Sequence, residues 1–598
     1  MREISVPVQY PQDPEENLTD VITTNAAQRP NLIVLSRPGA DGWVDVDSQQ
    51  FLAEVTAVAK GLIATGIQVG DRVGLLSKTR YEWTLIDFAI WFAGAVTVPI
   101  YETSSAEQIR WIASDSGATA VVVETPAHLQ TLTGLRSDLP GLKHLLTIEN
   151  GAVAELGTAG RGVADAVLEE RRRSAKSDSV ATIVYTSGTT GRPKGCELTH
   201  GNFIWLSRSA IQILDEVVHE QASTLLFLPL AHVFARYVQI LSMVCGSRLG
   251  HSPSVANLLD DLASFKPTYL LAVPRVFEKI YNGAEAKAQS EHKGWIFARA
   301  ARTAIAYSRV QDAGGAGPWL RAKHALYDRL VYSKLRTATG DRLYGTVSGG
   351  APLGDRLGHF FRGAGIPVIE GWGLTETTAP VSVNTLKKNK IGTVGRPLPG
   401  MTVRLAPDDE LEIKGVGVLH GYFNNPGANQ SALHNGWLST GDLGAIDADG
   451  YITITGRKKD ILITAGGKNV VPAVLEDQLN AHPLISQCIV VGDQRPFVGA
   501  LITLDREMLP TWLTNRGKPE LRMSEATTDP DVLAELQKAV DSANAQVSKA
   551  ESIRKFAVLD TDFTEASGHL TPKLSLKRAV VMKDFAGAVD ELYHQSQG

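Results

Sequence analysis

Short runs that are apolar at nearly every position, each separated from the next by a stretch of helical periodicity, constrain this chain more tightly than any other feature. Residues 72–77, 96–100 and 118–123 are such runs, and residues 81–93 between them carry apolar side chains at helical spacing. Ahead of them Leu52, Val55, Ala59 and Leu62 share one helical face, which Gly66 is placed to end. A strand with apolar residues on both faces cannot border water. It belongs in a parallel sheet covered by helices on both sides. The same grammar returns at residues 182–185, 225–228 and 269–273. The expected fold is therefore α/β, and in open α/β sheets ligands bind at the carboxyl ends of the strands.

At 598 residues the chain holds several folding units. After about residue 457 its character changes. Residues 486–491 and 498–504 read as a hairpin, 531–547 as an amphipathic helix and 556–559 as a further strand, which makes a small α+β unit. We divide the chain into a large multi-subdomain part, 1–456, and a small part, 457–598. Residues 291–339 are basic, Ala-rich and helical throughout, and read as an inserted helical pair. With 59 Lys+Arg against 64 Asp+Glu the net charge is -5, which gives no electrostatic reason to expect nucleic acid. Cys196, Cys245 and Cys488 are scattered without CxxC spacing, so neither a disulfide framework nor a thiolate metal site is expected. The N-terminus lacks the basic and apolar regions of a secretory signal. The longest apolar stretch, 88–101, is broken by Gly94 and Pro99 and is too short to span a bilayer. A cytoplasmic location is expected, and the sequence leaves peripheral membrane contact and oligomeric state open.

The densest chemical signal follows the strand at 182–185. It is the run Tyr185-Thr186-Ser187-Gly188-Thr189-Thr190-Gly191-Arg192-Pro193-Lys194-Gly195. Glycines let backbone approach an anion, hydroxyls and free N–H groups ring phosphate oxygens, and Lys194 adds a point charge. It is not a Walker A loop, because Gly195 and not Ser/Thr follows Lys194.

This loop resembles the signature of the adenylate-forming superfamily. Further matches come in that family's order: Pro229-Leu230-Ala231-His232, Ser348-Gly349-Gly350-Ala351-Pro352, Glu370-Gly371-Trp372-Gly373-Leu374-Thr375-Glu376, Ser439-Thr440-Gly441-Asp442 and Gly456-Arg457-Lys458-Lys459-Asp460. The resemblance runs from Tyr81 to Lys577 and is strongest to bacterial long-chain fatty acyl-CoA synthetases. It implies two-step activation of a fatty acid by ATP and transfer to coenzyme A. Thr186 to Gly191 with Lys194 would hold phosphates, and Glu376 would hold Mg²⁺. Gly349, Gly350 and Ala351, with Glu370, Gly371, Trp372, Gly373 and Thr375, would frame the nucleotide, Trp372 offering an aromatic face to adenine. Asp442 would take the ribose hydroxyls, and Arg457 the ribose and phosphate. His232 would line the acyl pocket near the reacting carboxylate, Lys459 would be the hinge of a mobile C-terminal lid, and Lys468 would lie near the CoA path. Two alternatives stay open: acyl transfer to a carrier protein, and a non-catalytic acyl or nucleotide binder.

One position departs from the pattern. An ungapped overlay puts Ser575 where the family's adenylation lysine stands, with Lys573 two residues before and Lys577 two after. On extended backbone a two-residue offset keeps the same face. Lys573, directly behind Thr571-Pro572, is the preferred substitute.

Overall fold

The structure, a computed structural model, describes residues 1–186, 192–253, 257–312, 314–565, 567–571 and 576–594. Among these residues, two large sheets carry the apolar runs read from the sequence. In the seven-stranded sheet, Arg72–Leu76, Val96–Ile100, Ala120–Val123, His144–Thr147 and Val180–Thr186 are parallel. Antiparallel Lys194–Thr199 and Gly421–Tyr422 extend it at one edge. In the nine-stranded sheet the six interior strands, from Ile33–Gly39 to Val368–Leu374, are parallel, and only the edges are antiparallel.

Helices cover these strands as their apolar faces require. Every residue of Tyr81–Phe92 except Glu82 is buried, because this helix lies in the core shared by both sheets. Helix Val233–Cys245 is buried beside it. Burying two helices on all sides leaves Asp87 and Arg236 fully enclosed, and they pair with each other. Arg236 also bonds Thr182 and lies 5.5 and 5.2 Å from the rings of Trp83 and Trp91. Such a pair is retained only when its hydrogen bonds are satisfied. Here it ties the helix that follows His232 to the strand that ends at Thr186.

Two features go beyond the sequence reading. Helices Gly294–Asp312 and Pro318–Tyr327, read as an inserted pair, are packed into the core of the large part. Phe297, Ala300 and Ala304 share a core with Phe360 and Phe361, and a Cβ at Gly363 would stand 2.1 Å from the Ala304 carbonyl oxygen. The second feature is an antiparallel six-stranded sheet, including Met401–Leu405, Glu410–Gly415, Trp437–Ile446 and Ile452–Arg457, whose strands alternate in burial and so lack the apolar runs.

The small C-terminal domain has the expected hairpin, Ile485–Val491 with Val498–Leu504, and Ile553–Leu559 pairs parallel to it. Helix Pro530–Asn544 presents Val532, Leu536 and Val540 to that sheet's own core. The domain docks on the large one through Arg275–Asp505 (3.0 Å), Asn515–Gln289 (2.8 Å) and a bond from Thr103 to Glu565. Among the described residues no helix is long and apolar enough to cross a membrane.

Candidate active site

The carboxyl ends of strands from both sheets open into one cavity of about 790 Å³, within the range of small-molecule sites. Its polar end is lined by Thr186, Gly349 to Ala351, Gly371 to Gly373, Thr375, Glu376, Arg457 and Lys459. An apolar arm runs inward between Leu214, Val218, Tyr237, Leu241, Leu271 and Val347. Tyr237 and Val347 come from the segments 228–237 and 346–350, which carry the Pro229–His232 motif and the start of Ser348–Pro352. His232 stands where the two ends meet; it caps helix Val233–Cys245, its Nδ1 accepting the Phe234 N–H at 3.2 Å.

Thr186 and Lys194 face each other in the register of the strand pair that frames the glycine-rich run. Ser187, Gly188, Thr189, Thr190 and Gly191 lie outside the described residues. The frame is tight, since a Cβ at Gly195 would be 2.6 Å from Ile183. Lys194 Nζ sits 5.3 Å from the centre of the Tyr422 ring, and the Tyr422 hydroxyl donates to Glu376 Oε1 at 3.0 Å. Burial and the Glu376 charge push the phenol well above its usual pKa, so it stays a donor. Tyr422 thus links two predicted site residues. Sequence reasoning missed it, because a lone Gly-Tyr pair at a strand edge carries no pattern. Among the described residues the second Glu376 oxygen has no hydrogen-bond partner. A hard cation bridging phosphates needs only one or two protein carboxylates, so this side chain fits Mg²⁺.

The strand Val368–Leu374 carries the next motif. Its pairing with Ala379–Val383 breaks between Trp372 and Gly373. Gly373 is obligatory there: a Cβ would lie 1.6 Å from the Ala379 carbonyl oxygen. The Trp372 ring is 8% exposed, and its Nε1 donates to Asp442 Oδ2 at 2.8 Å. Arg457 Nε holds Asp442 Oδ1 at 2.9 Å, the two being opposite neighbours in the antiparallel sheet. The expectation for Trp372 was an adenine platform. The structure adds a second role, the fixing of a buried carboxylate. A carboxylate has about four acceptor sites, so two remain for a sugar diol.

Of the other predicted residues, Glu370 and Lys468 do not line the cavity. The Glu370 carboxylate accepts the Leu353 N–H at 2.9 Å; burial, opposed by that bond, pushes it up to about 7. Asp477 of the small domain is pushed up to about 8 by burial and by Glu476, Glu278 and Glu370. Glu370 is thus absent from the cavity lining, and its charge acts on Asp477 of the small domain. Lys468 stands off the cavity, 3.5 Å from Glu551. Lys573 lies outside the described residues, while Lys577 precedes helix Arg578–Asp584 and is absent from the cavity lining. Lys459 does line it; burial and the nearby Arg457 pull its ammonium below the usual range.

Glycine-rich strand ends, a carboxylate–arginine pair and a small docked domain over one cavity are the architecture of adenylate-forming enzymes. The anthranilate CoA ligase AuaEII, solved with anthranoyl-AMP, superimposes with a TM-score of 0.72 at 21% identity over 96% of this chain and 99% of its own. The A domain of carboxylic acid reductase from Segniliparus rugosus, solved with AMP and a co-purified carboxylic acid, gives 0.73 at 20% identity over 98% and 95%. The AMP-binding enzyme model matches residues 22–423, and the AMP-binding enzyme C-terminal domain model matches 459–597. The chain belongs to the AMP-binding enzyme family. Over 599 aligned residues, all of both chains, it is 48% identical to the long-chain-fatty-acid–CoA ligase FadD15 of Mycobacterium tuberculosis and of Mycobacterium bovis. It is 30% identical to the long-chain-fatty-acid–CoA ligase ACSBG1 of Homo sapiens, over 95% of this chain and 84% of that one.

Proposed function

We propose that this protein joins a long-chain fatty acid to coenzyme A while ATP is cleaved to AMP and pyrophosphate. The observation that carries the reading is the continuity of the cavity: a deep apolar arm opens directly onto the strand ends that bear the nucleotide motifs. The fatty chain occupies the arm, which leaves its carboxylate beside His232. That carboxylate attacks the α-phosphate, and pyrophosphate leaves. Thr186 to Gly191 and Lys194 hold the phosphates, and donors placed in advance at developing charge lower the barrier. Glu376 would hold Mg²⁺, which supplies charge neutralisation when bound. Asp442, fixed by Trp372 and Arg457, accepts the ribose hydroxyls. The CoA thiol then displaces AMP from the acyl carbon.

The two steps need different surroundings, and the domains supply them. Residues 457–598 act as a lid that turns about Lys459 relative to 1–456, with Lys468 moving toward the CoA path. The bond from Thr103 to Glu565 holds the segment ahead of Lys573 against the end of strand Val96–Ile100. We read this as the lid position of the first step, in which Lys573 aims its ammonium at the transferring phosphate. The test is incubation with ATP, Mg²⁺ and a panel of fatty acids, with and without CoA, read by mass spectrometry. Acyl-AMP without acyl-CoA would sink the ligase reading in favour of carrier-protein transfer, which the CoA ligases among its relatives do not favour. Lys573→Ala should abolish acyl-AMP formation and spare thioester formation from supplied acyl-AMP. A dominant loss from Lys577→Ala would move the role there.

A further inference from the structure

Helices Gly294–Asp312 and Pro318–Tyr327 turn one face into the core and leave the other bare. On the first, Trp295, Arg299, Arg302 and Arg309 recur at the helical period, and all are exposed. On the second, Trp319, Lys323, Leu326 and Leu330 follow at offsets of four, seven and eleven residues. Trp319 is 74% exposed, Trp295 61%, Leu326 55% and Leu330 43%. Of the ten tryptophans in the chain, these two are the exposed ones.

The charge here is opposite to that of the whole. Residues 291–342 hold ten Lys/Arg against four Asp/Glu, in a chain of net charge -5. Three of the four carboxylates are already paired, Glu291 with Lys293, Asp312 with Arg362 and Asp328 with Arg336, and Asp341 accepts the Thr337 hydroxyl. Arg299, Arg302, Arg309, Arg321, Lys323 and Arg329 form no ion pair among the described residues. Arg299 and Lys323 instead lie over the rings of Trp295 and Trp319, at 5.2 and 5.1 Å.

We propose that this bare helical face docks the protein on an anionic lipid bilayer. Tryptophan settles at the headgroup level, and leucines on an amphipathic surface enter the acyl boundary. Unpaired cations on long stems reach the lipid phosphates. A nucleic acid would use the arginines but has no use for Leu326 and Leu330. The surplus negative charge elsewhere favours this basic face for orientation toward an anionic surface. None of these residues lines the cavity, so the proposal and the reading of the catalytic site fail independently.

The test is co-sedimentation of the full chain, without substrates, with vesicles of phosphatidylcholine and phosphatidylglycerol at 7:3 or of phosphatidylcholine alone. Binding to the anionic vesicles only, reversed by high salt, is expected. Each cation near an anionic surface contributes roughly fivefold, so R299Q/R302Q/R309Q should weaken binding about 100-fold, and W295A/W319A should abolish it. Both variants should keep the wild-type melting temperature and fatty acid activation in solution. In W295F/W319F binding should persist while the blue shift of tryptophan fluorescence on vesicle addition disappears. Wild-type protein that binds neither vesicle, variants that bind as well as wild type, or an arginine-dependent affinity for RNA in place of vesicles would each overturn the proposal.

Discussion

Trp372→Phe tests the link between a buried ring and the nucleotide site with little change in shape. Phenylalanine keeps a buried aromatic ring but deletes the N–H that donates to Asp442 at 2.8 Å. Asp442 is 3% exposed, and its other oxygen is held by Arg457 at 2.9 Å, so one face of a buried carboxylate loses its donor without water to replace it. A hydrogen bond to a charged group contributes about 1.5–3 kcal/mol. At about 1.4 kcal/mol per tenfold, ATP affinity should fall by roughly 10- to 100-fold if that bond orients Asp442 for the ribose. Titration calorimetry measures the affinity, and urea unfolding separates lost binding from lost stability. A variant with wild-type affinity for ATP, whatever its stability, refutes the positioning role of Trp372. A variant that loses stability but not affinity would leave the ring as packing only.

Tyr422→Phe removes the 3.0 Å bond to Glu376 and should weaken Mg·ATP binding about tenfold by calorimetry, with an unchanged melt; equal affinity would make Tyr422 a packing residue. Gly373→Ala drives a methyl into the Ala379 carbonyl and should lower stability by about 3 kcal/mol in chemical denaturation, since neither strand can yield without opening the bulge. The domain contact is proton-linked. Asp477 of the small domain is raised to about 8 by burial and by carboxylates that include Glu278 and Glu370 of the large one, so the docked lid holds a proton that a detached lid releases. Its stabilisation is greatest at low pH and is lost as pH rises from the ordinary aspartate range, near 3.8, to about 8. Acyl-AMP formation by rapid quench should decline over that window, and Asp477→Asn should flatten the decline; an identical profile in the variant would exclude the contact as its source.

Much of this architecture is legible along the chain. The parallel strands, the helix Tyr81–Phe92 and the hairpin of the small domain announce themselves as apolar runs of strand or helix length, because burial on both faces leaves few polar positions, and helix Pro530–Asn544 shows the 3.6 period of one buried face. The glycine-rich run and the strand-end motifs are equally visible, since each packs its chemistry into a few consecutive positions. The six-stranded sheet escaped because its strands are half exposed. Residues 291–339 read as an inserted helical pair, but their small residues give no sign of how closely Ala304 approaches Gly363.

What the sequence by itself determined is which segments become strands and helices and which loops carry charge, glycine and hydroxyl groups. The tertiary structure alone decided the partnerships. Trp372 and Asp442 are 70 residues apart, Tyr422 and Glu376 are 46 apart, and Arg275 meets Asp505 across two domains. No local period encodes such pairs. They follow from the order of strands within each sheet and from one sheet end facing another, which is settled only when the whole apolar surface finds cover at once.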